Sequence, residues 1–482
     1  MDKLKSMNVV DLVRDVALAR PIDRFGLMTL LSSLYFFQYW GLALNDFKNW
    51  PYDRDIVLVL ILISAIGIVL PRLYLITLVN SGFYVGAYLI NAPIASNNQT
   101  CAAFVSLVIL AGTMVSLSRM ARAGGGVDFR ESVFQAISGP GRYLLAIMYF
   151  YGIYHKINTD FLNPIVSCAV VLYRPLAEPF GLDEWSLGQY SAIYATFVIE
   201  GIAMILLFSP RYKRLGMLIG IPFHIMIGWT GYAYYKDFST VVLVMYAMFL
   251  PREAIDNAIA FAGRYVGGPV IAANIGRWVV IGLFAAYLAS VLVGQGSTGL
   301  EPTHEGFTWF FTIYALAFLA FCVAFVPMRM SDPLTDLAIR PAWLAIFPIV
   351  FFVNGASPYL GLKTESSIAM FSNLYTERGE TNHLIHGQLP FAADYQNDIV
   401  TPVSSSSEAF DGDALPGHPM IRYEFDRLLD RHAGVEAEFL HNGTPRSLDA
   451  NWTNTYQTAS LLERMYFIFK PLEQSRPQEC TH

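Results

Sequence analysis

The sequence predicts an all-α polytopic membrane bundle of about eleven transmembrane helices, followed by a small C-terminal mixed or β-rich soluble domain. Hydrophobic residues make up 54% of the 482 residues and charged residues only 15%, whereas soluble domains carry about 25% charged residues. The apolar residues are gathered into long runs, and the chain turns polar and acidic after residue 353. Such apolar surface would aggregate in water, so lipid is its expected solvent.

Runs that approach the length of about 20 residues needed to cross a bilayer define the predicted spans. These segments are 25–45, 55–70, 73–92, 101–118, 141–156, 188–208, 214–231, 238–250, 270–294, 308–327 and 342–353. Together they form a predicted membrane domain over 25–353, preceded by an arm over 1–24. The arm is polar and does not resemble a cleavable signal peptide, so the first apolar run is expected to remain as a helix.

Basic residues in the loops predict the orientation, because cytoplasmic loops are enriched in Lys and Arg. The arm and every second loop are basic, as in the loop 119–140 with Arg119, Arg122 and Arg130. The loops 91–100 and 294–307 contain no Lys or Arg. An integral protein of a plasma or inner membrane is therefore expected, with a cytoplasmic N-terminus and an extracytoplasmic C-terminal domain.

The tail, residues 354–482, carries 9 Lys and Arg against 17 Asp and Glu. This acidic balance argues against a nucleic-acid partner. The apolar bundle predicts membrane lipid as a partner, with a lipid-soluble small molecule as a further candidate. Within the tail, Val435–Leu440 alternates like a strand and is followed by Asn442-Gly443, a strong hairpin signal. Ile421–His432 has the pattern of an amphipathic helix.

Cysteine and histidine spacing gives little indication of a metal site. The cysteines Cys101 and Cys168 could form a disulfide if both face an oxidising compartment. His383 and His386 lack an evident third ligand, so no metal is expected.

Glu200 and His224 lie inside apolar runs, where an ionisable group is costly unless it is paired or faces water. Both are expected to point into the bundle. Two interpretations remain open: they belong to an internal functional site, or they form a structural hydrogen bond between helices.

Lys156 ends the fifth predicted span beside His155. Burial would favour its neutral amine, which could then act as a base. The alternative is a lysine that snorkels to the lipid interface and anchors the helix end.

The stretch 142–251 resembles the HTTM domain, the membrane part of vitamin K-dependent γ-glutamyl carboxylase and its bacterial relatives. The matching residues begin with Gly152-Ile153-Tyr154-His155-Lys156-Ile157-Asn158 and Asp160-Phe161-Leu162. Glu200, Pro210-Arg211, Leu215-Gly216, Phe223-His224 and Phe238-Ser239 follow in order. In the tail, 360–364, 370–374 and 382–384 look like a segment of uncharacterised bacterial relatives.

The resemblance implies that Lys156 is the base that deprotonates a quinol, with His155, Glu200 and His224 as further catalytic candidates. The activity it implies is that of a carboxylase- or epoxidase-like lyase or oxidoreductase. His155 stands where the carboxylase has a second lysine, and the tail is much shorter than the carboxylase's lumenal part. The cofactor remains unknown, with a quinol as the candidate.

Two classes of function remain open. One is a membrane enzyme acting on a quinol-like or other lipid-soluble substrate. The other is a non-enzymatic carrier of a lipid or small solute, or an accessory factor for a secreted peptide.

Overall fold

The computed structural model describes residues 23–43, 51–123, 128–230, 233–298, 304–328, 337–377, 380–385, 393–449, 452–470, 472 and 477–480. Thirteen α-helices lie in the described residues before the C-terminal sheet region begins. They are α1 Arg24–Ala43, α2 Arg54–Val69, α3 Tyr74–Asn91, α4 Asn97–Ala123, α5 Phe129–Tyr154, α6 Cys168–Ala177, α7 Ser186–Phe208, α8 Lys213–Gly228, α9 Ala233–Ala247, α10 Arg252–Tyr265, α11 Pro269–Thr298, α12 His304–Phe325 and α13 Ile346–Ala356.

The C-terminal region combines short strands with short helices. Its elements are α14 Ala393–Asn397, β1 Ile399–Ser405, α15 Glu408–Ala414, β2 Met420–Ile421, α16 Arg422–Arg431, β3 Ala437–His441, β4 Thr444–Ser447, α17 Thr455–Thr458 and α18 Leu461–Tyr466. The predicted mixture of a small sheet with helices is therefore confirmed.

Five helical stretches in the described residues are long and apolar enough to cross a membrane. They are Asn97–Ala123, Ser186–Phe208, Pro269–Ala289, Gly306–Phe325 and Ala342–Leu360. A sixth is reached if Asp237–Ala247 and Arg252–Tyr265, which meet at 89°, count as one broken span. These helices are consistent with a membrane protein.

The predicted count of about eleven spans is not confirmed, although each predicted segment coincides with a helix. Length is one reason, because α2 and α8 have 16 residues each and a helix rises 1.5 Å per residue. Each is therefore about 24 Å long, shorter than the ~30 Å hydrocarbon core. An apolar run shows that a segment avoids water, but protein neighbours can provide that environment as well as lipid.

The described residues group into two compact units. The first holds the described residues within Met1–Ala87, Cys101–Ala146 and Ile199–Ile349, and the second holds those within Tyr88–Thr100, Ile147–Val198 and Val350–His482. In the first unit, α1 packs against α2 and α9, and α8 packs against α12. Asn80 ties three of its helices together, because its Oδ1 accepts from Trp40 Nε1 at 2.8 Å and from Ser64 Oγ at 3.0 Å.

The second unit contains an antiparallel sheet in the order β2-β1-β3-β4. Its β3–β4 hairpin pairs His441 with Thr444, so the turn consists of Asn442 and Gly443, as predicted. Both turn residues have positive φ, 48° and 81°, which is the type I′ geometry that Asn-Gly favours. The predicted helix over Ile421–His432 is confirmed as α16, whose Phe425 packs with Phe410 and Phe439 in the buried core.

The Cys101–Cys168 disulfide, which the sequence left as a possibility, does not form. Cys168 is instead bonded to Cys480, 312 residues away in the chain, and Cys101 is a buried free cysteine. Sequence spacing could not choose between these partners, because the pairing depends on where the tail folds back.

Candidate functional site

The candidate site lies in the second unit, where α5 ends at Tyr154 and the chain turns through residues 155–162. Backbone bonds from Lys156 N to Ile153 O and from Ile157 N to Tyr154 O, at 3.0 and 3.1 Å, tighten the exit from the helix. Such i to i+3 bonds are common at helix ends. They place His155 and Lys156 on a rigid turn.

His155 is completely buried and both of its ring nitrogens have partners. Nε2 lies 3.3 Å from the carbonyl oxygen of Ser367, and Nδ1 lies 2.8 Å from the hydroxyl of Tyr359. Since a carbonyl can only accept, Nε2 carries a proton and donates to Ser367, while the Tyr359 hydroxyl is the partner of Nδ1. His155 therefore joins the end of α5 to the tail.

The Asn158 side chain is the centre of a buried hydrogen-bond network. Its Nδ2 donates to the carbonyl oxygens of His155 and Ser372 at 2.7 and 2.6 Å. Its Oδ1 accepts from the backbone of Asp160 at 3.1 Å and of Phe161 at 2.7 Å. All of these bonds are internal, so Asn158 fixes the backbone that follows Lys156.

Asp160 extends the network to the far end of the chain. Its Oδ2 accepts from Asn382 Nδ2 at 2.9 Å and from the backbone of Gln478 at 3.1 Å. Asn373 contributes a parallel link, with Oδ1 accepting from the backbone of Cys168 at 2.8 Å. The tail segments noted in the sequence, around Asn373 and Asn382, thus pack directly on the motif around Asn158.

Lys156 is only 8% exposed. Its Nζ lies 5.7 Å from the centre of the Phe161 ring, a distance at which a cation interacts with an aromatic face. Phe161 is itself held edge-to-face against Phe197 at 5.6 Å. The arrangement therefore keeps a lysine amine in an aromatic setting on a fixed backbone.

The tail segment around this network has an unusual backbone. Ser366, Ile368, Phe371 and Asn373 all have positive φ, between 51° and 64°. Ile368 is notable because a β-branched side chain disfavours this conformation. Strained residues of this kind cluster at functional sites, where surrounding contacts hold them in place.

Glu200 and His224 belong to the first unit, unlike His155 and Lys156 in the second. Both side chains are buried, at 6% and 1% exposure. The His224 ring lies edge-on to Phe238 at 5.7 Å, and its carbonyl oxygen accepts from Ser239 Oγ at 2.9 Å. The His224 peptide is thereby linked to α9.

Two buried charged groups of the tail escaped the sequence reasoning. Burial is the main cause that raises the pKa of Glu377. Burial also lowers the pKa of Lys363 to about 7, against the opposing effect of Glu365. Both residues lie in a polar stretch beyond the last apolar run, where hydropathy gives no sign of burial.

Asp237 was also missed, although its position before an apolar run was a usable signal. It is 3% exposed and lies in the first unit. Among the described residues, no group of three or more His, Cys, Asp and Glu could hold a metal ion.

No family model, curated protein or solved structure matches the chain.

Proposed function

We propose that this chain is an HTTM-like integral membrane enzyme that acts on a quinol-like or other lipid-soluble substrate, with Lys156 as its base. The observation that carries the proposal is the placement of the Lys156 amine, which is buried beside the Phe161 ring on a hydrogen-bonded turn. Aromatic surroundings suit an aromatic substrate, and a fixed backbone suits a group that must meet its substrate in one geometry.

The step assigned to Lys156 is a proton transfer. Only the unprotonated form of the amine can accept the proton of a quinol hydroxyl, and the transfer leaves an ammonium group and a quinolate anion. The two charges appear as an adjacent pair, and their mutual attraction is stronger in a water-poor site than in bulk water. His155 serves as a positioning residue here, because the tail holds its imidazole on both sides.

The membrane arrangement belongs to the same proposal. About eleven spans, a cytoplasmic N-terminus and an extracytoplasmic tail are supported by the alternation of basic loops. The Cys168–Cys480 disulfide adds support, because disulfides persist in oxidising compartments. The shorter helices would then cross thin or protein-lined parts of the membrane.

The test compares quinol oxidation by the wild-type chain and Lys156→Ala in proteoliposomes supplied with dioxygen. Loss of one catalytic base typically costs about 10²- to 10⁴-fold in rate. Arg446→Ala, an exposed residue of β4, is the control and should retain the wild-type rate. Equal rates in wild type and Lys156→Ala, or turnover by neither, would refute the assignment.

A carrier or accessory function is the second candidate, and the engagement of both His155 nitrogens favours it. A residue built into the fold in this way contributes stability without chemistry. Mass spectrometry of the purified chain distinguishes the two functions. A carrier would release an unaltered lipid or small solute and would show no turnover.

A further inference from the structure

Two adjacent leucines of the tail are left facing outward. Leu461 and Leu462 open α18 with 66% and 78% of their surfaces exposed. Single exposed leucines are ordinary on soluble surfaces, but adjacent ones at the start of a helix present a continuous apolar edge. Helix α18 therefore presents an apolar surface whose exposure to water is unfavourable.

The fold holds this surface rigidly in place. Ser460 and Glu463 form a capping box, in which Ser460 Oγ accepts from Glu463 N at 3.3 Å and Glu463 Oε2 accepts from Ser460 N at 2.7 Å. The hydroxyl of Tyr395 adds a bond to Glu463 Oε1 at 3.1 Å. These hydrogen bonds fix the first turn in the conformation that leaves both leucines exposed.

The far end of α18 is tied to the end of a candidate span. The hydroxyl of Tyr466 is hydrogen-bonded to that of Ser357, within the stretch Ala342–Leu360. At 1.5 Å per residue, Leu462 lies about 6 Å along the helix axis from Tyr466. The headgroup region on each side of the hydrocarbon core is ~5–8 Å thick, so α18 is within its reach.

Lys363 lies beside this end of α18. Its Nζ lies 4.6 Å from the centre of the Tyr466 ring, three residues after the candidate span ends. Tyrosines are enriched where a chain leaves the lipid. Tyr466, which ends α18, is therefore a residue type typical of a membrane boundary.

A second element of the same unit has a similar character. The turn between α6 and α7 exposes Phe180 by 76%, Leu182 by 44% and Trp185 by 51%, directly before the candidate span Ser186–Phe208. The hydroxyl of Tyr173 donates to the carbonyl oxygen of Leu182 at 2.6 Å, which fixes the turn. The exposed leucines of α18 and the exposed residues of this turn thus both lie next to the end of a candidate span.

We propose that α18 is an interfacial helix whose Leu461 and Leu462 lie in the headgroup region of the bilayer, together with the Phe180–Trp185 turn. The occupant of this surface is the membrane that the adjoining spans enter, so the tail is partly a lipid-bound domain. This placement of α18 is independent of the reaction assigned to Lys156.

Depth-dependent fluorescence quenching tests this placement in the full chain. Cysteine is introduced at 461 or 462, labelled with an NBD fluorophore and reconstituted in nanodiscs with and without nitroxide-labelled lipids. Labelling is selective because Cys101 and Cys322 are buried and Cys168 is bonded to Cys480.

Two reference positions calibrate the result. Ile205→Cys, at a 65% exposed position in the candidate span Ser186–Phe208, gives the value for a lipid-facing site. Arg446→Cys, on the exposed strand β4, gives the value for a site in water. Labels at 461 and 462 should show at least about half the lipid quenching of position 205, as expected for residues at headgroup depth.

Quenching at 461 and 462 equal to that at position 446, with full access to aqueous iodide, would overturn the proposal. A blue-shifted emission without lipid quenching would overturn it as well, because it would place a protein, such as a second copy of the chain, on this surface.

Discussion

Lys363 allows the cost of burying a charge to be measured directly. Its side chain is 4% exposed, and burial lowers its pKa from 10.5 to about 7 despite the nearby Glu365. We replace it by methionine, which keeps an unbranched chain of similar length and removes the amine. The variant is expected to be more stable than the wild type at neutral and acidic pH.

The magnitude follows from the pKa difference. One pKa unit corresponds to about 1.4 kcal/mol, so the change from 10.5 to about 7 gives an upper value of about 5 kcal/mol for the cost of the buried charge. The contact with the Tyr466 ring at 4.6 Å is lost in the variant. This loss reduces the stability gain by ~1–2 kcal/mol. The net gain of Lys363→Met near pH 6 is therefore about 3–4 kcal/mol.

The stability difference between wild type and Lys363→Met is expected to depend on pH in one direction. Between about pH 7 and 10.5 the unfolded chain binds a proton at Lys363 that the folded chain does not, so wild-type stability from this group rises with pH. Below pH 7 both states are protonated and the full cost remains. The advantage of the variant should shrink steadily as the pH rises from 7 toward 10.

Thermal unfolding of the detergent-solubilised full chain, followed by tryptophan fluorescence from pH 6 to 10, measures this difference. Arg446→Met removes a charge from exposed β4 and is the matched control, with an expected difference near zero at every pH. Groups common to both proteins cancel in the comparison. A Lys363→Met advantage that stays constant or grows with pH would refute the reasoning.

Two further changes test the packing of the second unit. Non-reducing peptide mapping should link Cys168 to Cys480, and Cys480→Ser should lower the unfolding free energy by ~2–4 kcal/mol; a different partner for Cys168 would contradict the fold. Gly355→Ala should destabilise by ~1–3 kcal/mol, since an added Cβ would lie 2.2 Å from a Tyr151 ring carbon. Gly412→Ala, whose Cβ would meet nothing within 4 Å, is the control, and equal melting of the two variants would exclude the clash.

The positions of the helices could be predicted from the sequence, whereas the number of spans could not. Hydrophobic runs locate buried helices well, and every predicted segment coincides with one. Whether such a helix faces lipid depends on its neighbours. α2 illustrates this, because it is mostly apolar, but a helix of 16 residues is too short to cross a bilayer without help.

The candidate site shows the same division. The motif from His155 to Asp160 could be identified locally, and Asn442-Gly443 specified its hairpin, because a turn of two residues depends on little beyond its own φ angles. The partners of the motif could not be found in this way. Asn382 and Gln478 reach Asp160 from 222 and 318 residues away.

The sequence by itself determined where the chain is helical, where it becomes polar, and which lysine ends the fifth apolar segment, because composition and short-range spacing carry that information. Only the tertiary structure decided that Cys168 pairs with Cys480, that His155 is held on both ring nitrogens, and that Lys363 is buried. Each of these depends on contacts between segments that are distant in the sequence. Such contacts form only when the whole chain is folded, so local sequence patterns do not reveal them.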